Sequence, residues 1–179
     1  MRALVTTLGV VLTLGIAVGG LPAESGAAHA TLGCPATVHA GRQLGIEVAI
    51  DVGTTPLGAY SIAVMYDPAV LTLVSVAGGS AADFSGNPRT NTPTPGTTNL
   101  SAFQSASLTS PTGVVSVAMI TFDVAASATT AIGLTVKTLF DTNSVAILPA
   151  TGAGCSVSVT GAGSTTTSTT STTIATSTT

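Results

Sequence analysis

Residues 59–76 read AYSIAVMYDPAVLTLVSV, and their pattern sets the fold class. From Ala59 to Tyr66, the residues Tyr60, Ile62, Val64 and Tyr66 fall on one side of an extended chain, and Ala59, Ser61, Ala63 and Met65 on the other. A two-residue period marks a strand with one buried face, because successive Cβ atoms point to opposite sides of a sheet. Asp67-Pro68 interrupts that strand as a turn, since proline has no N–H to give to a ladder. Val70 to Val76 then resumes as a β-branched run.

Outward from this stretch the same period recurs. Leu44, Ile46, Val48, Ile50 and Val52 alternate with Gly45, Glu47, Ala49 and Asp51. Ser116 to Val124 places Ala118, Ile120, Phe122 and Val124 on one side, and Ala131 to Phe140 does so with Ile132, Leu134, Val136 and Phe140. Cys34 to Ala40 reads as a first strand and Cys155, Val157 and Val159 as a last one, with weaker runs at Asn99–Ser105 and Val145–Leu148. The sum is about nine strands punctuated by Gly, Pro, Ser and Thr, an all-β chain folded as an antiparallel β-sandwich of jelly-roll topology. Gly78 to Thr98, with Gly78-Gly79, Pro88, Pro93 and Pro95, is too long and too rich in breakers for a simple turn and reads as a surface excursion.

The two ends differ from this body. Arg2 precedes an apolar run from Leu4 to Leu21, and Ala28-His29-Ala30 offers small residues where a signal peptidase reads, so residues 1–30 read as an export signal cut after Ala30. Residues 31–162 form the domain, and membrane contact is expected only through the removed signal. Residues 163–179, GSTTTSTTSTTIATSTT, have almost nothing to bury and read as a linker or stalk. Location is therefore secreted or at the cell surface. In that setting Cys34 and Cys155, the only cysteines, are expected to pair and close a loop of about 120 residues.

Composition excludes several functions. Only 6% of the 179 residues are charged, and outside the export segment three bases (Arg42, Arg89, Lys137) face six acids (Glu47, Asp51, Asp67, Asp83, Asp123, Asp141). Three scattered bases make no nucleic-acid face. The body holds one internal histidine, His39, so a two-histidine metal site is unavailable, and no nucleophile elbow, phosphate loop or Cys-x-x-Cys appears. No catalytic group, cofactor or metal is assigned. Asp83, Asn87 and Asn91, and Asp141 to Asn143, carry oxygen ligands that suit calcium, but Asp and Asn are also ordinary turn formers. Trp is absent and Tyr60, Tyr66, Phe122 and Phe140 fall on core positions, which leaves Phe84 and Phe103 as the rings free to meet a sugar.

The block Tyr66-Asp67-Pro68-Ala69-Val70-Leu71, with Gly45–Val52 before it and Thr72–Val76 and Ile120–Val124 after it, resembles the cohesin domain family over Cys34 to Thr160. The resemblance implies an exported, non-catalytic module that binds another protein, a dockerin-like module or a surface component. The alternatives are carbohydrate binding, with polysaccharide as ligand, and a structural spacer. Where cellulosomal members carry Asn and Asp before Tyr-Asp-Pro, this chain has Ala59 and Ser61, which cannot supply the same bonds.

The resemblance also implies that the strands ending at Tyr66 and Val124 are neighbours in the binding sheet. Their outward residues, Ala59, Ser61, Ala63 and Met65 with Val115, Val117, Met119 and Thr121, are then expected to form one flat apolar patch flanked by Asp67 and Asp123. The rival expectation is that the Gly78–Thr98 excursion folds over this patch.

Overall fold

The computed structural model describes residues 27–104 and 111–161. The export-signal run and the Ser/Thr-rich tail lie outside the described residues. Eleven strands form two sheets. One sheet is ordered β10-β1-β3-β8-β5, from Ala150–Ala153, Ala28–Gly33, Gln43–Asp51, Val114–Val124 and Leu71–Gly78. The other is ordered β2-β11-β9-β4-β7-β6, from Thr37–His39, Cys155–Thr160, Thr130–Asp141, Leu57–Met65, Thr97–Phe103 and Arg89–Thr94. The sandwich expected from the sequence is present, with two more strands and with mixed sheets: β1 pairs β10 in parallel, and β11 pairs β2 in parallel.

The core lies between the sheets. Ile46, Val48, Ile50 and Phe122 from one side meet Ile62, Leu100, Ile132 and Leu139 from the other, each at most 2% exposed. Tyr66 stacks edge-on against Phe122 at 4.8 Å between centroids. Tyr60, in the six-stranded sheet, gives its hydroxyl proton to the carbonyl of Val117 across the sandwich at 3.1 Å. A buried phenol needs such a partner, because an unpaired polar group in the core costs about 1–3 kcal/mol.

Asp67-Pro68 does not join neighbouring strands of one sheet. It is a corner that carries the chain from β4 to β5 in the opposite sheet. Asp67 Oδ1 accepts the N–H of Ala69 at 2.9 Å, and its carbonyl accepts those of Val70 and Leu71. An aspartate followed by proline suits that turn, since its carboxylate and its carbonyl together accept the N–H groups that the lost ladder leaves unpaired. Gly96, at φ +83°, closes the β6–β7 hairpin beside it and accepts the N–H of Tyr66.

Gly78 to Thr98 does not cover a face. It tucks a single 3-10 turn, Ala82–Phe84, into the end of the core and returns as β6, an edge strand of the six-stranded sheet. Cys34 and Cys155 are disulfide-bonded with Cα atoms 6.3 Å apart, as expected. Cys34 follows β1 in one sheet and Cys155 opens β11 in the other, so the bond staples the two sheets. The first strand, however, is Ala28–Gly33, with Ala28 and Ala30 wholly buried, so it includes three residues assigned from sequence to the export signal. Val145–Leu148 forms no strand, only a bridge between Phe140 and Ala146.

Candidate functional site

The eight residues expected to form one patch are divided between two sheets. β4 pairs with β7 and β9, whereas β8 pairs with β3 and β5 on the other side of the sandwich. Ala59, Ser61, Ala63 and Met65 lie on the outward side of β4, with Ala63 only 6% exposed, and Met119 and Thr121 point outward on β8. Val115 and Val117 do not: they are 3% and 0% exposed. The cause is a β-bulge. Val48 faces Ala118 and Ala49 faces Ser116, so Val117 is an extra residue and the two-residue period slips there.

A second bulge, at Lys137, remakes the outward face of the six-stranded sheet. Ser61 faces Thr138 and Ile62 faces Val136, leaving Lys137 unpaired in the register. Beyond it the alternation inverts. Leu139 is buried at 2%, and Phe140, assigned to the core from sequence, is 36% exposed. Phe103, at the end of β7, is 73% exposed, while Phe84, the other ring expected at the surface, is 2% exposed and packs on Tyr60 at 5.6 Å. Phe103 and Phe140 lie in register on either side of Ala59. Two rings thus flank a floor that ends at a methyl group.

That end of the face opens into a cleft of about 370 Å³ bordered by Ser101, Thr138 and Arg89. Toward the other end the floor is Ser61 and Ala63, and Met65 lies over Gly133, where a Cβ would come within 3.0 Å of the methionine methyl. Lys137 reaches sideways to donate to Asn99 Oδ1 at 2.7 Å, crossing β4 where only small side chains stand. The surface carries two cations, Arg89 and Lys137, and is apolar at both ends, with Met65 at one and Phe103 and Phe140 at the other. Sequence reasoning missed Phe140, Phe103 as its partner, and the neighbouring strands β7 and β9, because pairing between distant strands leaves no local mark.

The opposite face differs. Its outward row carries Glu47, Asp51 and Asp123, with Ser116 donating to Glu47 and Gln43 to Asp123. His39 sits on edge strand β2 beside Thr160 Oγ1 at 2.7 Å. Asp141 Oδ1 accepts the N–H groups of Asn143 and Val145, so it acts as a turn former. Asp83 is 4% exposed and accepts a hydrogen bond from Gln104. Among the described residues no group of three His, Cys, Asp or Glu side chains is placed to hold a metal ion.

The description of the cohesin domain family matches residues 30–159. Among solved structures, a cohesin module from a family 33 glycoside hydrolase of Clostridium perfringens has a TM-score of 0.63 at 12% identity, covering 75% of this chain and 98% of that one. The sixth cohesin of scaffoldin B from Acetivibrio cellulolyticus, solved in complex with a Cel5 dockerin, has a TM-score of 0.61 at 16% identity, covering 75% and 99%. A cohesin from Clostridium acetobutylicum has a TM-score of 0.56 at 20% identity, covering 76% and 92%. A search of curated proteins returns no match.

Proposed function

We propose, from the premise that this chain belongs to the cohesin domain family, that it is a non-catalytic module that docks an exported protein on the outward face of its six-stranded sheet. The observation that carries this is the composition of that face. Met65, Phe103 and Phe140 are exposed around a floor of Ala59, Ser61 and Ala63. Exposed apolar side chains gathered on one flat surface mark an interface, and aromatic and methionine side chains suit one. Strands β9, β4, β7 and β6 run 12, 9, 7 and 6 residues. At about 4.8 Å between strands and ~3.3 Å per residue they span roughly 19 by 28 Å, about 530 Å² on one partner, the small end of specific protein interfaces. The dockerin found on the Acetivibrio cohesin supports a dockerin-type module as partner. Ala59 and Ser61 in place of Asn and Asp mean that affinity here rests on apolar contact more than on hydrogen bonds.

Residues before β1 serve export, and the Ser/Thr-rich tail after β11 acts as a stalk that holds the module away from its attachment. The disulfide supports an oxidising, extracellular setting.

Ala63→Arg tests the docking face. Ala63 is 6% exposed and outward-facing in the middle of the floor, so a guanidinium there holds a flat partner off. Capture of the partner from the producing cell's exported proteins is expected to fall at least a hundredfold, while Met119→Lys on the other sheet leaves it intact. Capture unaffected by Ala63→Arg refutes this face.

A second reading is favoured by one observation, the Phe103 and Phe140 rings flanking Ala59. Such a pair offers stacking surfaces to a sugar. Retention on insoluble polysaccharide that is lost in Phe103→Ala supports carbohydrate binding, and passage of the wild-type chain through a panel of them dismisses it.

A further inference from the structure

The strand-borne charges of this domain are sorted by sheet. In the five-stranded sheet the strands carry Glu47, Asp51 and Asp123 and neither lysine nor arginine. In the six-stranded sheet they carry Arg89 and Lys137, and the sole acid is Asp141, at the last position of β9, with its carboxylate engaged by turn N–H groups. Arg89 faces Ser101 across β6 and β7, and Ser101 faces Ser61, so the guanidinium shares the outward side with the proposed docking floor. It borders the Phe103–Phe140 cleft. Lys137 places its ammonium at Asn99, one outward position along β7 from Ser101. Both cations are exposed, and the acid that also lines the cleft, Asp83, is turned inward at 4% exposure.

We infer that the six-stranded face takes a partner module whose contact surface is acidic around an apolar anchor, one bulky side chain seated between Phe103 and Phe140 with carboxylates meeting Arg89 and Lys137. This rests on the docking reading above and adds the sign and layout of the partner. The physical case is complementarity. Two cations beside an apolar slot with no exposed acid between them repel a basic partner and steer an acidic one, and they set register rather than supply most of the affinity. The acidic back of the sandwich would repel the same partner, so the charge sorting also selects which sheet is met.

The probes are two synthetic 14-residue amphipathic helical peptides with the same leucine stripe, one carrying glutamate and the other lysine at all remaining positions. Each is titrated into the 15N-labelled chain. The acidic peptide is expected to shift the amides of Arg89, Phe103, Lys137 and Phe140 and to bind at least tenfold more tightly than the basic one, with the difference shrinking as salt rises. Arg89→Glu with Lys137→Glu is expected to reverse the preference. The milder Arg89→Gln with Lys137→Gln abolishes it, in case the charge-reversed chain misfolds. Equal binding of both peptides, preference for the basic one, no binding by either, or shifts confined to the five-stranded face each overturn the inference. The docking reading fails separately, through unchanged capture of the exported partner by Ala63→Arg.

Discussion

Removing the Cys34–Cys155 bond is expected to cost about 5 kcal/mol of stability. The bonded residues are 121 apart in sequence. In the chain-entropy model, opening a loop of that length returns ~16 cal/mol/K to the unfolded chain, roughly 5 kcal/mol at 25 °C. The folded state offsets little of this. Without the bond, the two sheet ends are still held by the pairing of β2 with β11 and by five residue pairs between β1 and β3. The native geometry therefore survives, and the loss falls on the unfolded side. Domains of this size are stable by about 5–15 kcal/mol, so a third or more of the margin depends on one bond. The assay is urea unfolding followed by far-ultraviolet circular dichroism, on the oxidised chain and on Cys34→Ser with Cys155→Ser. With a slope near 1.5 kcal/mol per molar urea, the midpoint should fall by about 3 M. A fall under about 0.7 M at unchanged slope, equivalent to ~1 kcal/mol, would refute the reasoning: the terminal strands would then be tethered in the unfolded chain by something other than the bond.

Three further outcomes follow from the structure. A chain beginning at Thr31 loses the pairs of Ala28, His29 and Ala30 with β10 and β3 and two wholly buried alanines, and is expected to be about 2–3 kcal/mol less stable than one beginning at Ala28; N-terminal sequencing of the exported protein should read Ala28 or an earlier residue, and a Thr31 start with equal stability counts against a structural role for the first half of β1. Val117→Lys buries an ammonium at a 0% exposed position and should cost about 5 kcal/mol or more, whereas Met119→Lys, at 40% exposed, should stay within about 0.5 kcal/mol; equal urea midpoints would sink the bulge at Val117. Burial pushes the Tyr60 phenol well above its usual range, so its neutral form is favoured in the fold: its contribution is constant below the unfolded value near 10 and lost as pH rises beyond it. Tyr60→Phe should flatten that alkaline slope and cost about 1 kcal/mol for the bond to Val117, and an unchanged slope between pH 9 and 11.5 would exclude Tyr60 as its source.

How far the sequence could be read depended on whether the two-residue period ran unbroken. In β3, and in β4 from Tyr60 to Val64, it did, and the buried set Leu44, Ile46, Val48, Ile50, Tyr60, Ile62 and Val64 was legible residue by residue. At β8 it was not. Val114 to Ala118 is apolar everywhere except Ser116, so both phases of the strand fit and nothing local marks Val117 as the inserted residue. Leu139 and Phe140 pose the same ambiguity after Lys137, with two adjacent apolar residues and one core slot. β1 was hidden for another reason. Buried strand positions against a close neighbour and the positions a signal peptidase reads both require small side chains, so Ala28-His29-Ala30 satisfies either reading. The assignment of β4 and β8 to one sheet failed because alternation reports which way a side chain points, never which strand lies beside it.

The two bulges that defeated the period serve different ends, and both follow from the demand that buried polar groups and surface features be placed independently of the ladder. At Val117 the extra residue keeps its side chain in the core and offers its carbonyl to Tyr60, so the only buried phenol hydroxyl among the described residues is satisfied across the sandwich. At Lys137 the extra residue leaves the core to Leu139 and turns Phe140 outward beside Ala59, opposite Phe103. The same inserted residue supplies the ammonium that lies over the small-residue floor at Asn99. One residue of additional strand therefore sets both the apolar end of the face and half of its positive charge. A β9 that kept strict alternation would have buried Phe140 and left Phe103 without its partner ring across Ala59. The proposed docking face is built by breaking the pattern that identifies the fold.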